Sequence, residues 1–251
     1  MPAENSMQYF YEIYEAMPRQ GPGDSASTRQ ALSHLPALTR EHRILDIGCG
    51  SGAQTVDLAR ATEAQIVAID NHPPFIARLV ERVSELGLEE RVAAQVGDMC
   101  DLRFSDGSFD ALWSEGAIYF IGFAQGLAAW RRLLAPGGHL VVSELCWLRD
   151  DPAVEIVDFF EAEGADVGDL AARQKAVAAS GYELVCDFVL PAFGWWENYY
   201  LPLGECLARF RSAHAGEPEA LGVADRSQHE IDMYKKHADS FGYVFFVMRR
   251  D

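Results

Sequence analysis

The chain is expected to form an α/β fold, a doubly wound and mostly parallel sheet with a helical cap. Two observations predict this. Between residues 43 and 145, short apolar runs alternate with helical stretches, and strands joined through helices lie parallel with right-handed crossovers. The first run, Ile44-Leu45-Asp46-Ile47, breaks into Gly48-Cys49-Gly50-Ser51-Gly52, and one βα unit later Ile66-Val67-Ala68-Ile69 ends in Asp70. Glycines in such a turn let a ligand approach the backbone at a helix N-terminus, and an acidic residue about 20 positions on can hold a ribose. An adenosine-containing ligand follows from this pattern, without its identity.

The elements follow in order. Residues 6–17 read as a short aromatic helix with Ser6 as N-cap and Pro18 as stop. Gln20 to Ser25 is a loop, and Thr28 to Leu35 a second helix. Then come strand 43–47, helix 53–61, strand 65–70, helix 73–87, strand 91–96, strand 109–114, helix 123–134 and strand 138–145. Asp106-Gly107-Ser108 is the turn that opens the fourth strand. Helical stretches over about 152–163 and 167–180 lead to an apolar strand, Tyr182 to Leu190. Aromatic and helical segments fill 192–241, and Gly242 to Met248 is a strong final strand.

Composition bounds the function. With 251 residues, 49% hydrophobic and 24% charged, the chain can bury a core around one such sheet. A formal charge of −17 argues against a nucleic-acid partner, because phosphate binding needs a basic field. Cys49, Cys100, Cys146, Cys186 and Cys206 are widely spaced with no C-x-x-C or Cys/His metal pattern, which suits reduced packing cysteines in a cytoplasmic protein. The first residues lack the basic flank and apolar run of a signal peptide, and no stretch is long enough to span a membrane. No metal is expected.

The glycine turn alone is ambiguous. Gly48, Gly50 and Ala53 also satisfy G-x-G-x-x-G/A, so a nicotinamide or flavin site stands beside other readings. Three features shift the balance. Asp46 interrupts a strand that a dinucleotide fold would keep apolar. Gly97-Asp98-Met99 puts a polar group at the carboxyl end of the third strand, and Pro136-Gly137-Gly138 is a turn between a helix stop and the fifth strand. In this order, over roughly residues 40–145, the set resembles the class I S-adenosylmethionine-dependent methyltransferases, and more loosely their ubiquinone/tocopherol-type branch.

That resemblance implies a Rossmann-like, seven-stranded sheet with one antiparallel late strand. It divides the chain into an N-terminal helical cap (1–36), a cofactor-binding core (37–191), a cap insertion (192–241) and a final strand (242–251). It implies S-adenosylmethionine as cofactor, S-adenosylhomocysteine as product, and a small-molecule acceptor under a lid of residues 1–25 and 192–241; a homodimer is compatible with it. Gly48, Gly50 and Gly52 would lie beneath the cofactor, Asp70 would accept the ribose hydroxyls, and Asn71 would pack beside the adenosine. Asp98 would receive the adenine amino group, with Met99 supplying a packing or backbone contact. Asp46 either orients the loop or reaches the cofactor ammonium through water.

On the acceptor side, Glu115 after the fourth strand is the candidate to orient an acceptor or take its proton, with Tyr119 and Glu144 as further pocket candidates. Trp195, Tyr199 and their aromatic neighbours suit an ammonium or aromatic acceptor, although rings at helical spacing more often pack than bind. Arg19 either meets a carboxylate bidentately or stays solvated in its loop. His42, His139, His214, His229 and His237 read as surface or satisfied histidines. Two rivals stay open: a nicotinamide-dependent oxidoreductase, and a non-catalytic cofactor-binding subunit whose aromatic lid is a protein interface.

Overall fold

The computed structural model describes residues 4–251; residues 1–3 of the expected N-terminal cap lie outside the described residues. Its sheet is ordered β3-β2-β1-β4-β5-β8-β7. The strands are β1 (Arg43–Ile47), β2 (Gln65–Asp70), β3 (Val92–Val96), β4 (Phe109–Glu115), β5 (Leu134–Trp147), β7 (Tyr182–Val189) and β8 (Phe241–Arg250). A two-residue strand, β6 (Gly168–Asp169), pairs with the end of β5 off this path and has no counterpart in the sequence reading. Strands β1 to β5 are mutually parallel, and β8 runs antiparallel to both β5 and β7. The expected α/β architecture with one reversed late strand is what forms.

Side-chain alternation decides which residues share a face. Ile44, Ala111, Trp113, Val141, Phe245 and Val247 belong to one core layer, under the helices α1 (Glu4–Glu15), α3 (Ala53–Ala61), α4 (Pro73–Glu85) and α6 (Val154–Glu163) and the cap helices α9 (Leu201–Ala213) and α10 (Pro218–His237). Leu45, Ile47, Leu112, Leu140, Val142, Phe246 and Met248 belong to the other, under α5 (Phe123–Trp130) and α7 (Leu170–Ala179). Both faces of the central strands are buried, which explains their nearly continuous apolar runs.

Several boundaries differ from expectation. The second helix is α2 (Ser25–Leu32), starting earlier because Asp24 caps it, its carboxylate accepting from Ser27 N at 2.8 Å and Ser27 Oγ at 2.9 Å. Ser6 is not an N-cap: it sits inside α1 and donates to Glu219 Oε1 at 3.0 Å. The fifth strand starts at Leu134, and the expected Pro136-Gly137-Gly138 turn is a bulge within it, between the pairs Phe109–Leu134 and Ala111–His139. Glu115 is the last residue of β4 and not a loop residue.

The cap is one continuous helical run: α8 (Ala192–Trp195), a π-helical segment Trp196–Tyr200, and α9. Pro202 lacks an N–H and its ring would crowd the carbonyl of Asn198, so the preceding turn widens. Helix α1 bridges the two halves of the molecule. At its end, Arg78 of α4 donates to the carbonyls of Glu15 (2.8 Å) and Met17 (2.6 Å), and Glu15 lies 2.7 Å from His72 Nε2. Along its length, Glu12 meets His214 at 2.8 Å and Tyr9 donates to Glu217 at 3.0 Å.

Candidate functional site

The carboxyl ends of β1, β2 and β4 converge on the glycine turn. Gly48, Gly50 and Gly52 have φ of +73°, +54° and +83°, the left-handed region that L side chains avoid. Each also faces a neighbour that a Cβ would meet. At Gly48 it would lie 2.5 Å from Ala117 Cβ, at Gly50 2.6 Å from Gln20 Oε1, and at Gly52 2.1 Å from Leu79 Cδ1. Gly52 is thereby a helix-packing residue, whereas Gly48 and Gly50 line the space between the turn and the segments that close over it.

Asp70 ends β2 and ties the turn to the next helix. Its carboxylate accepts from Gly50 N and from His72 N, each at 2.9 Å. Each oxygen keeps a further lone pair for hydroxyl donors. Burial raises its pKa, and the backbone N–H groups oppose that. Asn71 beside it is exposed, and His72 stacks on Tyr11 with 3.8 Å between ring centroids. Asp98 is exposed and accepts from Cys100 N at 2.8 Å. The half-buried Met99 takes the Trp130 indole N–H on its carbonyl at 3.1 Å.

Asp46 is fully buried, and both oxygens are engaged by the start of α3: Gln54 Nε2 donates at 3.2 Å and Thr55 Oγ1 at 2.6 Å. Of the two roles open to it, these bonds serve loop orientation. Burial pushes it up to about 7, so it sits near half-protonation at neutral pH. Ser51 completes the turn: its N–H donates to Gln20 Oε1 at 2.7 Å, while its buried hydroxyl has no partner among the described residues.

Glu115, at the end of β4, is the centre of a buried hydrogen-bonded group. Its Oε1 accepts from Thr28 Oγ1 at 2.7 Å and from the Trp113 indole at 2.9 Å, and Oε2 lies 3.6 Å from the Arg19 guanidinium. Burial raises its pKa, with Arg19, Trp113 and Thr28 pulling the other way. Arg19 is not solvated: its side chain is 12% exposed and also donates to Gly21 O at 2.7 Å. The loop carrying it is tied to the cap by Gly23 N on Gly194 O (3.0 Å) and Asn198 Nδ2 on Gly23 O (2.9 Å). Residues 19–28, the cap and the end of β4 therefore form one hydrogen-bonded closure.

Glu144 is not brought to this group. Glu115 pairs with Ser143, so the next residue of β5 points through the opposite face, where Arg173 Nη2 meets it at 3.3 Å. Burial pushes it up to about 8. Trp195 is buried in the cap, stacked on Tyr234 at 5.2 Å and tilted against Tyr243 at 4.8 Å. The Tyr199 and Tyr14 hydroxyls share a buried hydrogen bond of 2.9 Å. Tyr119 is 47% exposed beside Phe120.

Gln20, Thr28 and Trp113, which hold Ser51 and Glu115, escaped the sequence reading as candidates. Gln20 follows Arg19 directly in the Gln20-Gly21-Pro22-Gly23 loop, which was the one available signal. The rest reach the site only through tertiary contacts.

Residues 44–138 match a family model described as a methyltransferase domain. Over 138 residues it is 34% identical to the methyltransferase GfsG of Streptomyces halstedii, covering 53% of this chain and 49% of that protein. Across the curated relatives compared, the matched region spans from 28% to 60% of their length. A methyltransferase from Thiobacillus denitrificans, solved with S-adenosylhomocysteine, superimposes with a TM-score of 0.83 at 22% identity, covering 96% of this chain and 98% of that one. The cyclase SpnF shares the fold with a TM-score of 0.72 at 22% identity, over 90% and 80% of the two chains. No helix among the described residues is long and apolar enough to cross a membrane.

Proposed function

We propose that this protein transfers a methyl group from S-adenosylmethionine to a small-molecule acceptor held between the glycine turn and the cap. The observation that carries this reading is Asp70, fixed by the Gly50 and His72 amides at the end of β2 with lone pairs to spare for a ribose diol. The site's residues suit the cofactor: a glycine cradle that a Cβ would fill, and the unpartnered Ser51 hydroxyl in the turn. Gly48, Gly50, Asp70, Asp98 and Met99 are the residues that would hold it. Asn71 would lie beside its adenosine, and Asp46 would keep the turn in place from beneath.

The bound cofactor supplies an electrophilic methyl on a sulfonium. The chain's own contribution is to align the acceptor and exclude water, since in-line displacement needs little covalent assistance. Helix α1, loop 19–28 and the cap perform the exclusion. Glu115, already carrying two hydrogen bonds and an ion pair, is suited to fixing the closure on β4 and to orienting an acceptor through its free Oε2 lone pair. The same reading places the protein in the cytoplasm, acting on a metabolite and not on nucleic acid, in keeping with its charge of −17.

Thermal unfolding with S-adenosylmethionine, S-adenosylhomocysteine and NAD tests the proposal. The first two should stabilise the protein and NAD should not; stabilisation by NAD alone would overturn it in favour of an oxidoreductase. A second reading, cofactor binding without methyl transfer, draws on the same glycine cradle and Asp70. Intact cofactor stabilisation with no methylated product would support that alternative.

A further inference from the structure

Residues 11–23 cross the carboxyl ends of the strands as one strap. At its start the Tyr11 ring lies on the His72 ring, with 3.8 Å between centroids, and Glu15 reaches His72 Nε2 at 2.7 Å. The His72 N–H is one of the two amides that hold Asp70. Where α1 ends, Arg78 of α4 donates to the carbonyls of Glu15 and Met17, and Met17 is fully buried. The chain then folds over through Pro18-Arg19-Gln20-Gly21-Pro22-Gly23, and Pro22 and Gly23 are buried although they belong to a loop. A Cβ at Gly23 would stand 2.1 Å from Arg19 Nη2, so glycine there lets Arg19 lie across its own loop.

Gln20 fastens this strap to the turn beneath it. Its Oε1 accepts from Ser51 N at 2.7 Å, and its Nε2 donates to the Tyr14 carbonyl near the end of α1 at 3.2 Å. A carboxamide suits this place because one planar group offers both a donor and an acceptor. The same Oε1 lies 2.6 Å from where a Cβ of Gly50 would stand, and the Gly50 N–H holds the other oxygen of Asp70. Arg19, next in sequence, reaches Glu115 at 3.6 Å, and Gly23 is bonded to the cap at Gly194. One segment therefore bears on both amides that fix Asp70, on the glycine turn and on the end of β4. Past Asp70 the site is open, with Asn71 and Asp98 exposed.

We propose that Gln20 is a positioning residue, the latch of a gate. The strap lifts from the glycine turn to admit the cofactor and release its product, and lifting draws Arg19 off Glu115 in the same movement. This rests on reading the turn as the S-adenosylmethionine site. A ligand bonded to Asp70 and lying along Gly48 and Gly50 has the strap across it, so it exchanges only as fast as the strap opens. The partners of Gln20 are protein groups, so the latch favours the closed strap whether or not a ligand lies beneath. Weakening it speeds entry and exit alike and leaves affinity nearly unchanged. Loss of a residue that touches the ligand itself would speed exit alone.

Rapid filtration of the full chain with labelled S-adenosylhomocysteine measures association, and a chase with excess unlabelled ligand measures dissociation. Gln20→Ala should raise both rate constants by about three- to ten-fold, the worth of one or two neutral hydrogen bonds, with Kd within about two-fold of the wild-type value. Arg78→Met, which frees the Glu15 and Met17 carbonyls without touching the turn, should raise both rates likewise. Unchanged rates in either variant, as for a ligand that slides out through the open end, overturn the gate. Faster dissociation with unchanged association also overturns it, because Gln20 would then be a ligand contact. Failure of S-adenosylhomocysteine to bind the wild-type chain would instead overturn the cofactor reading beneath it.

Discussion

Replacing Arg19 by alanine isolates the buried charge of Glu115. The guanidinium lies 3.6 Å from Oε2, and the Glu115 side chain is 1% exposed. Two unit charges at that separation attract by about 5 kcal/mol at an effective dielectric constant of about 20. Desolvation of both groups offsets part of this, and the bonds from Thr28 and Trp113 survive in the variant. The net loss at neutral pH is therefore about 2–4 kcal/mol. Its pH dependence has a definite sign. Burial already raises the Glu115 pKa above the ordinary 4.5 against the pull of Arg19. Without Arg19 it rises further, so the folded variant retains a proton that the unfolded chain releases. The deficit is small while both folded proteins hold the proton and grows as pH climbs from the folded value of the wild type to the higher one of the variant. Urea unfolding at about pH 5 and about pH 7.5 measures both ends. A deficit equal at the two, or one that Glu115→Gln added to Arg19→Ala does not relieve at the higher pH, would refute the reasoning.

Gly52→Ala should cost about 2–5 kcal/mol, combining a left-handed alanine at φ +83° with a Cβ 2.1 Å from Leu79. Gly87→Ala, at φ +64° with nothing within 4 Å, should cost only about 1–2 kcal/mol in the same denaturant assay; equal costs would contradict the packing role of Gly52. Asp70→Ala should weaken S-adenosylhomocysteine by about ten- to a hundred-fold in calorimetry, the value of hydrogen bonds to a charged group; unchanged affinity would remove Asp70 from the site. His214 has its pKa raised above 6.5 by Glu12 and Glu217. Its hold on α1 is thus fully present below about 6.5 and lost as pH rises through the folded value, so amide exchange in α1 should quicken relative to the sheet above that range. Glu144→Gln should change stability by no more than about 1 kcal/mol near neutral pH, because burial pushes that carboxyl up to about 8 and the isosteric amide replaces a largely protonated group. A loss several times larger would show that the ion pair with Arg173 is charged and needed.

What could be read from the sequence was local. The glycine turn, Asp70 and the alternation of strands and helices are each contained within one βα unit, and they appear where their spacing puts them. Asp46 was legible as an anomaly in an apolar strand, but its contacts with Gln54 and Thr55 were not. The surroundings of Glu115 and of the cap were less legible because they are assembled across long separations. Thr28 reaches Glu115 over 87 positions, and Tyr14 reaches Tyr199 over 185. Glu144 illustrates the limit. Its place near the end of β5 was readable, but the register that sets Ser143 opposite Glu115, and so turns Glu144 to the other face, is a property of strand pairing. Arg19 was weighed as a solvated loop residue because nothing nearby in sequence showed that its loop folds back onto β4. The strand start at Leu134 was hidden by Pro136, which the sheet accommodates in a bulge.

The central claim is methyl transfer, and the most direct measurement is the fate of the methyl group. The full chain is incubated with methyl-labelled S-adenosylmethionine and a fractionated extract of small amines and other metabolites. Label should appear in a small molecule with one S-adenosylhomocysteine formed per methyl transferred, and Asp70→Ala should reduce it when the cofactor is limiting. Label confined to S-adenosylmethionine, with the cofactor demonstrably bound, would contradict the account.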